Sequence, residues 1–354
     1  SDVFKKYNID SNNPRFIVLA RIGSGRPILH FNSHYDVVPA GKGWKRDPFQ
    51  LTIDNDTIYG RGVVDMKGGM TATIVAAHAA IMSNIALNGT LELSFTPDEE
   101  SGGETGVGYM LKAGLVNPDY VVVAEPSGIN NIWIGNKGTV KMEIEIIGKQ
   151  AHASTPWLGL NAFEGMVELS YPFIYKTKLA LENKYSKYTF LDSLQAKPTI
   201  NIGGIVEGGV GMNVVPGSCK FTIDRRLIPE ENTESVIDDI SKTVKLYSLP
   251  LEEEGYRVLT RVISKSEPSV ASPKSRLVNE MKKAIKKVIK KDPLLTICQA
   301  RVDTAYFQAK NIQAVTYGPG DDNLAHTADE KSSLTDILIA SKVYSQLISQ
   351  LLFK

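Results

Sequence analysis

RPILHFNS (26–33), GTLELSFTP (89–97) and DYVVVAEP (119–126) are the stretches whose reading decides the fold. Each is a short apolar run, β-branched or alternating, bounded by Gly, Pro, Asn or Asp, which is how a strand reads. RFIVLARI (15–22) has the same character. Between them, GGMTATIVAAHAAIMS (68–83) and ETGVGYMLKAG (104–114) carry apolar residues at helical spacing. Strand and helix in alternation predict an α/β layer on a largely parallel sheet with helices on both faces. In such open sheets ligands bind beyond the carboxyl ends of the strands. The residues just past each run are therefore the candidates for chemistry.

From Gly138 the texture changes. GTVKMEIEIIGK (138–149) alternates strictly, as a half-solvated strand should. A helical stretch, AFEGMVELSYPFIY (162–175), precedes the strands PTINIGGIVEGG (198–209) and SCKFTIDRR (218–226). The helix ENTESVIDDISKTVKLYS (231–248) and the strand EEEGYRVLTRVI (252–263) complete a βαββαβ order, the ferredoxin-like pattern. SKSEPSVASPKS (264–275) reads as a linker, followed by the basic helix SRLVNEMKKAIKKVIKK (275–291). Its stripe of Leu277, Val278, Met281, Ala284, Ile285, Val288 and Ile289 marks a core helix with a solvated lysine face. The strands TICQAR (296–301) and QAVTYG (313–318) and the helix TDILIASKVYSQLISQLL (335–352) close the chain. The expected division is 1–136 and 267–354 for one domain split in sequence, with 137–266 inserted into it.

A chain of 354 residues is too long for one simple core, which agrees with two domains. A hydrophobic fraction of 42% and a charged fraction of 22% are ordinary for a globular chain. The net charge of +1 gives no field to attract nucleic acid or an anionic membrane. No apolar run approaches the roughly 20 residues that span a bilayer. Cys219 and Cys298 have no ligand-like spacing, so a reducing, cytoplasmic setting is expected. The opening SDVFKKYNID leaves an upstream segment, and a signal peptide, open.

Residues that suit a metal site recur at strand ends and in glycine-rich loops. They are His34 in PILHFNSHYDVVPAG, Asp65 in IYGRGVVDMKGG, Glu99 and Glu100 in LELSFTPDEESGG, Glu125 in YVVVAEPSG and His326 in YGPGDDNLAHTADE. Two imidazoles and several carboxylates form an oxygen-rich set suited to a pair of zinc ions, which argues for a hydrolase. Glu99 and Glu100 are neighbours, and on a regular strand they would point to opposite faces. A turn between Pro97 and Gly102-Gly103 is therefore expected, leaving one carboxylate for metal and the other to move a proton.

In order along the chain, SHYDVVPAG, GRGVVDMKGG, PDEESGG, AEPS, GKQAHAS and AHTADE resemble the motifs of the M20 family of metallopeptidases and deacylases. The resemblance implies a zinc-exopeptidase-like fold with an inserted lid and dimerisation domain. It implies two zinc ions bridged by Asp65, one completed by His34 and Glu125, the other by Glu100 and His326. Cobalt and manganese are substitutes that such donors accept. Glu99 would be the general base, and Asp36 would orient His34 through its second ring nitrogen. The Asp65–Met66 peptide is expected to be cis. His152 resembles the lid histidine that steadies the oxyanion across a homodimer interface. Asn213 and Arg226 would hold the substrate carboxylate, with Arg225 a competing choice, and Gly318 would line the pocket. The implied substrate is a small N-acyl amino acid; a carboxypeptidase or dipeptidase acting on a short peptide is the alternative, and a non-catalytic relative the remote one. His30 and His78 read as structural, and Asp303 as a support below the site.

Overall fold

In a computed structural model that describes Asn12 and residues 14–353, the three deciding stretches are the strands Ile28–His34, Gly89–Thr96 and Tyr120–Val123. The opening SDVFKKYNID, and with it the question of an upstream segment, lies outside the described residues. The chain divides into two units. One comprises Ser1–Gly135, Val270–Cys298 and Val302–Lys354; the other comprises Asn136–Ser269 and Gln299–Arg301.

In the first unit, Gly89–Thr96, Ile28–His34, Tyr120–Val123 and Gln313–Thr316 lie side by side and run parallel. Val18–Ser24 adds an antiparallel strand beside Gly89–Thr96, and Asn131–Asn136 adds one beside Gln313–Thr316. The sheet is mixed and largely parallel. Its central strands are buried along nearly their whole length, as strands covered on both faces must be. The two coverings are visible at neighbouring residues, which point to opposite faces. His30 packs on Phe307 of the helix Thr304–Gln308, with ring centroids 5.8 Å apart. Phe31 packs on Tyr344 of the helix Leu334–Leu352, at 4.9 Å. His30 is fully buried and bonded to Glu92 at 3.1 Å and Ser94 at 2.7 Å, a structural histidine, while His78 sits on an exposed helix face.

The parallel strands all deliver their carboxyl ends to one edge, which is where His34, Glu99, Glu100 and Glu125 emerge. The Arg276–Ile289 helix starts at Ser275, whose side chain accepts from Val278 N–H, and it buries Leu277, Val278, Met281, Ala284 and Ile285. Its lysines face outward. No helix among the described residues is long and apolar enough to cross a membrane.

The second unit holds an antiparallel sheet in the order Thr199–Gly208, Ser218–Leu227, Gly138–Ile147, Arg257–Ser266. Numbered along the chain, that order is second, third, first, fourth, the ferredoxin-like arrangement. Alternate residues of Gly138–Ile147 are buried, so Val140, Met142, Ile144 and Ile146 form a core with Leu169 and Phe173 of the helix Ala162–Leu181 and Ile240 and Val244 of Thr233–Glu253.

Among the elements that differ from the sequence expectation, three have a plain physical reason. The stretch 264–275, expected as a linker, begins inside a strand and holds another, Ser269–Val270. The pairing of Arg257–Ser266 runs on as far as Ser266 opposite Thr139, and that partner cannot be read locally. The hairpin Thr52–Asp54 and Thr57–Tyr59, closed by Lys331–Ser333, was not expected, because three-residue strands are too short to show alternation. Asn131–Asn136 escaped for another reason. Its residues are all buried, so the run shows no polar face.

Candidate metal centre

His34 ends its strand with a fully buried side chain. A carbonyl oxygen only accepts, so ring Nδ1 carries the proton and donates to the Asp36 main-chain oxygen at 3.0 Å. The Asp36 carboxylate lies farther off, at 3.4 Å. Nε2 is thereby aimed at Asp65 Oδ1, 2.9 Å away, and at Glu125 Oε1, 3.5 Å away. The two Asp36 carboxylate oxygens accept instead from the main-chain N–H groups of Glu99 and Glu100, each at 3.2 Å. One residue thus ties the loop after the first strand to the loop after the next.

That second loop turns sharply. The strand stops at Thr96, Asp98 takes φ +61°, and Gly102 and Gly103 N–H return to Glu99 O and Asp98 O, each at 2.7 Å. The Asp98 carboxylate is held by Arg15 Nε at 2.8 Å and Thr105 Oγ1 at 2.5 Å. Freed from strand alternation, adjacent glutamates take different partners. Glu100 Oε1 lies 3.1 Å from His326 Nε2. Glu99 offers an oxygen to a cluster with His34 and Glu125 whose atoms lie within 4.8 Å of one another.

Asp65 lies at the centre. It sits in the Val63–Lys67 turn with non-helical φ/ψ, and its peptide bond to Met66 is cis. Oδ1 faces His34, while Oδ2 lies 3.1 Å from His326 Nε2. A single carboxylate therefore spans both imidazoles. His326 reaches it from a loop at φ +62° and is half-exposed.

Glu125 follows the Tyr120–Val123 strand, and two glycines close over its peptide. A Cβ on Gly69 would fall 1.9 Å from Ala124 O; one on Gly318 would fall 2.5 Å from Ala124 O and 2.6 Å from Glu125 O. Gly318, expected at the pocket wall, is itself buried here and gives its N–H to Ser127 Oγ at 3.2 Å.

The electrostatics of this cluster are those of acceptors crowded without enough positive charge. Burial pushes the Glu125 carboxyl well above the usual range, and the Asp65 charge adds to it. Burial and then Asp303 do the same to Glu99. Burial would raise Asp65 too, but hydrogen bonds from His326 and His34 hold it well below the usual range. Burial alone would lower His34, yet Glu125, Asp36 and Asp65 drive it well up. The bond to Asp65 raises His326 to about 9. His34, Asp65 and Glu100 also bring ligand atoms within 4.8 Å of one another. Carboxylates this close repel unless cations lie among them, so the donor set fits divalent metal.

The remaining expected residues belong to the second unit. His152 Nδ1 meets Ser154 Oγ at 2.7 Å, and His152 pairs with Val214 across a two-stranded ribbon, beside Asn213. Arg226 is engaged by Asp224 at 2.8 and 3.2 Å. Arg225 is buried and bonded to Glu231 at 2.6 Å.

Sequence reasoning missed Met66, Arg61 and Glu330 and gave Asp303 no chemistry. Met66 Sδ accepts from His34 N–H at 3.2 Å. Asp303, read only as a support, brings a buried charge to bear on Glu99. Glu330 holds the main chain at Asp65 while paired with Arg61. Arg61 and Glu330 stand in the very motifs that flagged Asp65 and His326, but nothing local reveals that they meet.

The sequence profile described as peptidase family M20/M25/M40 matches residues 30–350. A curated relative from Staphylococcus aureus (strain MRSA252), named "Probable succinyl-diaminopimelate desuccinylase", is 30% identical over 360 residues, which cover 93% of this chain and 86% of the relative. Among solved structures, an M20 family metallo-carboxypeptidase from Sulfolobus solfataricus superposes with a TM-score of 0.74 at 24% identity, covering 94% of this chain and 87% of that one. A Bacillus subtilis protein described as a dinuclear metal binding peptidase from the M20 family gives a TM-score of 0.65 at 15% identity, covering 98% and 88%. The profile match runs through every loop that feeds the metal centre, and the chain belongs to peptidase family M20/M25/M40, a family of metal-dependent hydrolases.

Proposed function

We propose that the chain hydrolyses the amide bond of an N-acyl amino acid, in the manner of a deacetylase or desuccinylase, at a centre for two divalent cations. The observation that carries this reading is the Asp65 carboxylate, with one oxygen at His34 and the other at His326. His34 and Glu125 would hold one cation, Glu100 and His326 the other, with Asp65 shared. Zinc is the expected metal, with cobalt or manganese as substitutes. When bound, such cations polarise an amide carbonyl and acidify water.

The protein's own groups supply the rest. Glu99 lies beside this centre, where its carboxylate would take a proton from the attacking water and pass it to the leaving amine. Asp36 keeps the Glu99 loop in register with His34. His152 is assigned the oxyanion, and Asn213 and Arg226 the substrate carboxylate. Arg226 must give up Asp224 to do so. The products are a carboxylate and a free amine.

A homodimer through the second unit is part of the proposal. Phe163, Val167, Tyr171, Tyr175 and Leu179 recur every four residues on one helix face, each about half or more exposed. The edge strand Thr199–Gly208 beside that helix is exposed along most of its length. An apolar stripe next to an open strand edge is the surface that a second copy covers. A cytoplasmic setting rests on two buried cysteines that no disulfide joins.

The test is a substrate panel on zinc-reconstituted protein: N-acetyl and N-succinyl amino acids beside dipeptides and acyl-dipeptides. Turnover of the acyl amino acids is the expected result. Turnover of peptides alone replaces this reading with the carboxypeptidase or dipeptidase one.

A further inference from the structure

We infer that Arg61 and Glu330 are positioning residues, a buried bracket that sets Asp65 and locks together the loops carrying Asp36 and His326. This rests on Asp65 being the carboxylate shared between two cations. Glu330 side-chain exposure is 1% and that of Arg61 is 2%, and the two form an ion pair. Such a pair is a weak stabiliser, because desolvating both charges offsets their attraction. Arg61 Nε moreover has no hydrogen-bond partner among the described residues, a further cost. What the pair fixes is position.

Glu330 uses both carboxylate oxygens. Oε1 accepts from two successive N–H groups, Val64 at 2.8 Å and Asp65 at 3.3 Å, and Oε2 takes the guanidinium. The Asp65 and Met66 torsions are non-helical, so the turn lacks the regular bonding of a helix, and Glu330 supplies the acceptor. The Glu330 main-chain oxygen also accepts from Gly60 N–H at 3.2 Å, which anchors the loop that begins at His326. Arg61 extends the bracket the other way. Its NH2 group donates to Ala40 O at 3.2 Å, an oxygen that also receives Trp44 Nε1–H at 2.8 Å. The guanidinium lies 5.2 Å from the Trp44 ring centroid. One ion pair thus reaches the loop after His34, the turn of Asp65 and the loop of His326. The Asp65 carboxylate spans both imidazoles, so a shift of its peptide disturbs both halves of the centre.

The test combines zinc titration against a competing chelator, the absorption spectrum of the cobalt-loaded protein, and kcat and KM. In the double variant Arg61→Met with Glu330→Gln, both charges go while an amide oxygen still faces Val64 and Asp65. It is expected to melt near the wild type, to lose zinc affinity about 10–100-fold, to show an altered cobalt spectrum, and to lose kcat with KM retained. Arg61→Lys keeps the ion pair and gives up the Ala40 bond, so its affinity falls between the two. A folded double variant with wild-type zinc affinity and kcat overturns the bracket. If the double variant does not fold, Arg61→Lys decides, and wild-type affinity in it overturns the bracket equally. Wild-type protein that takes up no zinc refutes the metal-centre reading instead, before any variant is compared.

Discussion

Replacing Gly69 with alanine tests the placement of Glu125 without touching a single candidate ligand. Gly69 lies in the first turn of the Gly68–Met82 helix, directly against the peptide that precedes Glu125. The added Cβ would lie 1.9 Å from Ala124 O, where ordinary contact begins at 3.4 Å, so about 1.5 Å of movement must be found. Both partners are main chain, a helix start and a strand end, and neither can rotate away. Overpacking of this kind costs about 1–3 kcal/mol. A displacement of about 1 Å at a reacting centre costs on the order of 10²-fold in rate. Gly89→Ala is the control. Its Cβ would meet Pro27 O at 2.3 Å at φ +138°, but at the amino end of the same sheet, away from the centre. Thermal unfolding, kcat and zinc titration on both variants separate the two effects. Both are expected to lose stability, and only Gly69→Ala loses rate and zinc affinity. A folded Gly69→Ala protein with unchanged kcat and zinc affinity would refute the view that this contact sets Glu125.

Glu99→Ala is expected to reduce kcat by about 10²–10⁴-fold while zinc uptake, followed by elemental analysis, is retained; loss of zinc together with turnover would make Glu99 a ligand rather than the base. Stability should fall as pH drops below about 6.5. Burial lowers the His30 pKa beneath that ordinary value, so the unfolded chain takes up the proton first, and the loss continues down to the folded pKa. Melting temperature followed across this range should fall less steeply in His30→Gln, and equal slopes would exclude His30 as the cause. Tyr171→Asp with Tyr175→Asp should shift sedimentation to the monomer, since both side chains stand on the exposed helix face; an unchanged mass would remove that face from the dimer.

The site was legible wherever chemistry is written in short runs. His34, Asp65, Glu99, Glu100, Glu125 and His326 each follow a strand or sit in a glycine-rich loop, and the structure brings all six together within one unit. For Gly318 the resemblance implies a place in the pocket wall; what the structure adds is its close approach to the Ala124 and Glu125 main chain, because a glycine's contacts depend on what approaches it. Asp36 is expected to orient His34 through its second ring nitrogen, and the structure shows that its closest hold on that nitrogen is its main-chain oxygen. Asp303 reads in the sequence only as a support below the site, because its charge effect on Glu99 needs two distant loops to meet.

By itself the sequence determined the alternation of strand and helix, the inserted βαββαβ unit and the identity of the converging acids and imidazoles. These follow from periodicity and from side-chain chemistry, both local properties. Only the tertiary structure decided that Glu330 pairs with Arg61 across the length of the chain, that Asp36 stitches two loops together, and that a three-residue hairpin is completed by Lys331–Ser333. Long-range pairing is set by packing and burial summed over the whole unit, and no short stretch of residues contains that sum.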